Sequence, residues 1–432
     1  MAKSVHSTVL VAGVVLLSEL ATAQSTPPGS PTFYKDVLPV LQDHCQVCHR
    51  PGEVGPMPLL DYTGTKKWAS AIRQKVESRQ MPPWFADPSI GHFANDRSLS
   101  DAEIRTITDW VDAGAPAGNP TQAPKPKHWV AGWTIGTPEI VLEMPSAFNV
   151  PASGVIPYQY VIVPTGFKQD TWVHLAEVRA GDRTHTHHIV VSVREPGSGW
   201  LADKPVGVPF ALGPRDMMGR SPGEFLAGYG PGAMPETLGP GEAKLIKAGS
   251  DLIFQLHYTT NGQPGCDRSR IGLILLHEPP KKRVLMLAAA NIRFAIPPGD
   301  PDYVVEARVK LHAPATLVSL LPHMHLRGKS FEFRALFPDG RMETLLRVPH
   351  YSYHWQLSYY LAKPLELPPG TIIECTAHFD NSDNNPMNPD PTKTVRFGPQ
   401  SWDEMMIGYF EVATDLKNGL REVLVGEAQS AE

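Results

Sequence analysis

Short histidine strings carry the first chemical signal in this 432-residue chain. His323 and His325 stand two apart in Leu321-Pro322-His323-Met324-His325, at the end of the apolar run Ala315–Leu320. On a strand, residues two apart share a face, so both imidazoles aim at one point. Neutral imidazole suits Cu, Zn, Fe and Ni. Earlier, His185-Thr186-His187-His188 precedes the apolar run Ile189–Val193. His257, in Gln255-Leu256-His257-Tyr258, sits among apolar neighbours, where an unpartnered imidazole is costly. Near the end, Asp403-Glu404-Met405-Met406 adds a thioether, a soft ligand that selects copper, above all Cu(I), over zinc. The string HTHH leaves two pairings open, His185 with His187 or His187 with His188.

A second signal lies near the N-terminus. Cys45-Gln46-Val47-Cys48-His49 has the C-x-x-C-H spacing of covalent haem attachment. Two thiols two residues apart on a helical turn can each form a thioether with the haem edge, and the adjacent histidine then reaches the iron. Met81, followed by Pro82 and Pro83, is the favoured sixth ligand, because prolines hold a thioether in a fixed extended loop. Met57 is its rival.

The elements that must hold these groups follow from pattern and punctuation. Helices are expected over Phe33 to His44, Trp68 to Ser78, and Ser100 to Ala113. The last opens on a capping box, Ser100 with Glu103, and stops at Gly114. Residues 31–118 form this helical part, and a Pro-rich connector covers 119–137. Beyond it come short runs of β-type residues broken by turns: Tyr158 to Val163, His188 to Val193, Asp251 to Tyr258, Thr316 to Leu321, Phe331 to Phe337, Thr371 to Phe379 and Met406 to Val412. The fold expected is mainly β: a small all-α domain, then two tandem antiparallel β-sandwich (jelly-roll) domains at 138–283 and 284–425.

Residues 1–23 read as a signal peptide. Lys3 starts it, Val9 to Leu17 is a short apolar run, and Ala21-Thr22-Ala23 fits a cleavage site. The alternative is a retained anchor, but that run is too short to span a bilayer and no later run is long enough. A periplasmic or secreted chain without a membrane span in its mature form is expected. Charged residues make up only 19% of the chain and the formal net charge is −5, which argues against nucleic acid as a partner. Four cysteines are too few for a disulfide framework.

The segment from Phe33 to about Gly118 resembles a small cytochrome c. From Pro138 to Val412 the chain resembles the copper type II, ascorbate-dependent monooxygenases, the family of peptidylglycine α-hydroxylating and dopamine β-monooxygenases. That resemblance implies tandem jelly rolls with one copper each. One copper would take His187, His188 and His257, matching an adjacent His-His pair and a later histidine in Q-x-H-Y. The other would take His323, His325 and Met405, matching H-x-H and a D-E-M segment. By the resemblance, O2 and substrate meet the second copper, and the first stores and passes an electron.

Two departures bear on function. Where the peptide-processing members carry a carboxylate-binding arginine just before H-x-H, this chain has Leu320-Leu321-Pro322, so a peptide C-terminus is not the expected substrate. The animal members are rich in disulfides, whereas this chain has only Cys266 and Cys375 to spare, and they either pair across the two domains or stay separate. The function expected is hydroxylation of a small organic molecule by O2, with two copper ions, one haem c and a periplasmic electron donor. The competing reading is a haem and copper electron-transfer protein without hydroxylase activity.

Overall fold

Runs rich in Val, Ile, Phe and Tyr become strands because branched and aromatic side chains pack well on a pleated surface. The computed structural model describes residues 29–129, 132–213, 223–230 and 232–425. The signal peptide expected over residues 1–23 lies outside them. The protein is mainly β, with several sheets and no barrel. Its helices gather in the N-terminal part, apart from a short one at Leu420–Leu424.

In the N-terminal part, a π-type turn at Phe33–Val37 runs into the helix Leu38–His44, and the helices Tyr62–Lys66, Ala69–Glu77 and Asp101–Asp112 follow. The Ser100–Glu103 capping box forms as the sequence predicts. These elements close on Phe33, Leu41, Ile107 and Trp110, and Cys45 and Met57 pack against that core.

Beyond the connector, one eight-stranded sheet runs through both halves of the chain. Ile140–Glu143, Arg270–Leu275, Thr171–Arg179 and Glu242–Ile246 come from the first half, and Lys282–Asn291, Met406–Thr414, Ala315–His323 and Tyr359–Leu367 from the second. The halves meet at a short parallel pairing, Lys282 with Glu242 and Arg283 with Ala243. The expected division at residue 283 thus falls inside the Lys282–Asn291 strand.

Two apolar cores fill the space between this sheet and two smaller ones. The first holds Val161, Ile189, Val191, Phe254, Val173 and Ile271, and joins the large sheet to a five-stranded one. The second holds Phe331, Phe333, Phe379 and Phe410, and joins it to a four-stranded one. Full burial of each such ring is worth roughly 1.5–3 kcal/mol. Between the halves, Lys244 is buried with Glu411 at 2.7 Å and Glu236 at 2.6 Å. Ser319 Oγ donates to the other oxygen of Glu411 at 2.8 Å.

The N-terminal part is fastened to both halves. Glu53, five residues beyond Cys48, pairs with Arg183 at 3.0 Å and Arg179 at 3.4 Å in the first half. Downstream, the segment around Phe93 lies along the outermost strand of the large sheet. There Ala94 N–H donates to Tyr360 O and Ala362 N–H to His92 O, each at 2.8 Å. An edge that would otherwise expose unpaired backbone groups is covered in this way.

Candidate metal centre

The first histidine group depends on a bulge. In a regular strand, His187 and His188 would point to opposite faces, and His187 would share the core face with Ile189 and Val191. Pairing between Thr186–Arg194 and Asp251–Tyr258 shifts register between Thr186 and His188. His187 is the extra residue, and such a bulge re-aims a side chain. His188 then lies directly across from His257. One nitrogen from each of His187, His188 and His257 lies within 4.8 Å of the others.

The nitrogens that converge are not used elsewhere. His187 Nδ1 and His188 Nδ1 are 3.1 Å apart. His257 Nδ1 is buried and has no hydrogen-bond partner among the described residues. A buried polar atom without a partner carries a desolvation cost that a ligand removes. Burial, followed by nearby positive charge, holds His187 and His257 down to about 4 and His188 well below the usual histidine range. All three are therefore neutral near pH 7, the form that binds metal. Tyr158 packs edge-on against His257 at 4.7 Å between ring centres.

His185 is turned away from this group. Its Nδ1 faces Asp182 Oδ2 at 2.7 Å, and its Nε2 faces Asn261 Oδ1 and Gln263 O at 3.0 Å. Both ring nitrogens are thus occupied in holding the turn before the strand. Of the two pairings that HTHH allows, the geometry brings together His187 and His188.

The second group sits on the large sheet, on the face away from the second core. Leu320 and Met324 point into that core, so His323 and His325 point out of it. Their rings are 5.2 Å apart and nearly perpendicular. His323 Nδ1 donates to Gln356 Oε1 at 2.6 Å and His325 Nδ1 to Asp403 O at 3.3 Å. Both acceptors are carbonyl oxygens, so each neutral ring leaves Nε2 unprotonated, and an outer partner of this kind fixes the orientation of a metal-binding imidazole. Burial lowers both rings, His325 to about 3.

Met405 lies just before the neighbouring strand, Met406–Thr414. His323 pairs with Ile407, and just beyond the ends of these strands the backbone N–H groups of His325 and Met405 meet on one carboxylate oxygen of Glu404. Glu404 ties the two segments. One of its oxygens accepts His325 N–H at 2.8 Å and Met405 N–H at 3.3 Å, and the other accepts Arg327 N–H at 2.6 Å. The sequence leaves Asp403 and Glu404 open between residues that support the ligands and residues that face solvent, and for Glu404 the structure shows the first. Gln356 and Tyr353 were equally hidden, because the signal for each is a contact across more than 30 residues.

At the N-terminal site, Cys45 and Cys48 are both partly buried and unpaired. Burial, then Cys48 and Glu103, pushes the Cys45 thiol up to about 12. His49 Nδ1 donates to Met57 O at 3.1 Å, which in the neutral ring leaves Nε2 as the acceptor nitrogen. That contact puts the Met57 backbone on the side of the ring away from Nε2. Met81 lies on the loop after the Ala69–Glu77 helix, half-buried, with its N–H on Lys75 O. Cys266 is exposed on Gly265–Asp267 while Cys375 is buried in the second core, and the two thiols do not pair.

No protein-family model matches the chain, and no curated protein does either. Among solved structures, infectious bursal disease virus (Gt strain) is 12% identical over 66% of this chain and 74% of that one, with a TM-score of 0.18. Broad Bean Stain Virus is 6% identical over 61% and 92%, with a TM-score of 0.25. Likeness at that level carries no argument about fold or function.

Proposed function

We propose that the chain is an exported copper-dependent monooxygenase, built as a cytochrome c module followed by two copper-binding jelly rolls. The observation that carries this reading is the partnerless, buried Nδ1 of His257, converging with His187 and His188. Beside it stands a second imidazole pair, His323 with His325, whose neighbouring segment carries Met405 on Glu404. His187, His188 and His257 would hold one copper, and His323, His325 and Met405 the other. Cys45, Cys48 and His49 would hold haem, with Met81 as the sixth ligand. Copper bound in such sites supplies one-electron chemistry and a place for O2, so a C–H bond can be hydroxylated without a side-chain nucleophile.

The chain's own residues prepare the sites. Gln356 and the Asp403 carbonyl orient His323 and His325, and Glu404 keeps Met405 beside them. Burial keeps the imidazoles neutral and excludes bulk water. The substrate is a small organic molecule, and a periplasmic donor supplies electrons through the haem.

The deciding experiment is metal content with copper EPR, on protein matured in a host that attaches haem c. One haem and two coppers are expected, with His257→Ala and Met405→Ala each removing or altering one copper signal. One haem with zinc, or with no copper retained, would overturn the reading and leave an electron carrier.

A further inference from the structure

We propose that Tyr353 is the bridge through which an electron passes between the two histidine groups, an inference that rests on each group holding copper. Its ring stacks on His187, with centres 5.4 Å apart and planes 15° apart. The same ring stands edge-on to His325 at 6.3 Å and 85°. A single side chain thus touches a metal-binding imidazole from each half. Electron tunnelling falls steeply with distance and faster still across empty space. A ring packed against both imidazoles replaces a through-space gap with continuous matter.

The segment that carries Tyr353 is held in place from three directions. Tyr351 Oη donates to Met324 O at 2.8 Å and accepts Met324 N–H at 3.1 Å, which fixes it to the residue between His323 and His325. Gln356 holds His323, as described above. The Tyr353 hydroxyl meets Ser401 Oγ at 2.7 Å, in the segment leading to Met405. None of these contacts is needed merely to fill space between two unrelated surfaces; together they orient the ring. His188 also feels His257, His187, His323 and His325 electrostatically, which agrees with short separation of the two groups.

The step balances simply. With copper held by His187, His188 and His257 and by His323, His325 and Met405, one electron lost at the first site would be the one gained at the second. No bond in Tyr353 forms or breaks.

The test uses the full chain with haem and copper bound, under anaerobic conditions. A photoreductant delivers one electron to the haem, and freeze-quench EPR follows each copper(II) signal. Tyr353→Phe keeps the ring and is expected to follow the unsubstituted protein. Tyr353→Leu is expected to leave copper content, both EPR spectra and reduction of the first site unchanged, while arrival at the second site slows by an order of magnitude. Tyr353→Ile, a non-aromatic side chain without a donor atom, replaces the leucine variant if that one loses copper. Unslowed arrival in the non-aromatic variant overturns the bridge alone. An unsubstituted protein that holds fewer than two coppers overturns the underlying reading, and the bridge with it.

Discussion

Glu404 accepts the backbone N–H of His325 at 2.8 Å, and through that contact the strand bearing Met405 is locked to the turn bearing the H-x-H pair. Burial pushes the Glu404 carboxyl up to about 8, against the pull of the Arg327 and His325 N–H groups and the Arg327 charge. Glu404→Ala strands buried N–H donors and is expected to cost roughly 2–4 kcal/mol of stability. It should weaken metal binding at the second group and leave the first unchanged. Denaturant unfolding and site-resolved copper titration check both parts, and equal weakening at the two groups would refute the local role.

His185 is expected to be structural. Replacing it with Asn removes its bonds to Asp182 and Gln263 and should cost about 1–3 kcal/mol. Metal stoichiometry should stay as it is in the unsubstituted chain. A lost equivalent of copper in His185→Asn would instead favour the His185–His187 pairing.

The buried Lys244 group predicts a pH dependence. Burial, and then the neighbouring carboxylate of Glu411, raise Glu236 from 4.5 to about 8. An acid whose folded value is raised holds its proton more tightly in the folded state. Its stabilising contribution is full below the unfolded value and is lost as pH rises from about 4.5 to about 8, by at most about 1.4 kcal/mol per pH unit. Glu236→Gln cannot lose that proton. Its stability relative to the unsubstituted protein should therefore grow as pH rises from about 4.5 to about 8, and a flat difference in urea midpoints would count against the raised Glu236 carboxyl.

For the haem site, Met81→Leu is expected to abolish the thioether-to-iron charge-transfer band and lower the reduction potential, since Met/His ligation raises it. Met57→Leu should change neither, because His49 uses only the Met57 carbonyl. Optical spectra and a redox titration of the matured protein read both outcomes.

Much of the secondary structure was legible because period and punctuation agree locally. The strands expected from residues 251, 331 and 371 form as Asp251–Tyr258, Gly328–Leu336 and Ile372–Phe379. The helix after Ser100 needed only its capping box. What stayed hidden depends on pairs far apart in the chain. His187 joins His188 only because a partner strand leaves it unpaired, and no pattern within Thr186–Arg194 announces that shift. Thr171–Arg179, interrupted by His174, Glu177 and Arg179, becomes a strand because neighbours on both sides supply its ladder. Lys244 reads as a solvent residue until Glu236 and Glu411 close around it.

The two-residue parallel pairing of Lys282 and Arg283 with Glu242 and Ala243 has a consequence for dissection. Cutting the chain near residue 283 would split a strand and bare a sheet edge. The same cut would leave Lys244 without Glu411. Neither half is a building block that can be lifted out or grafted alone. The first histidine group sits on the five-stranded sheet and the second on the large sheet that both halves build, so variation that shifts the shared sheet in one half must be tolerated by the other.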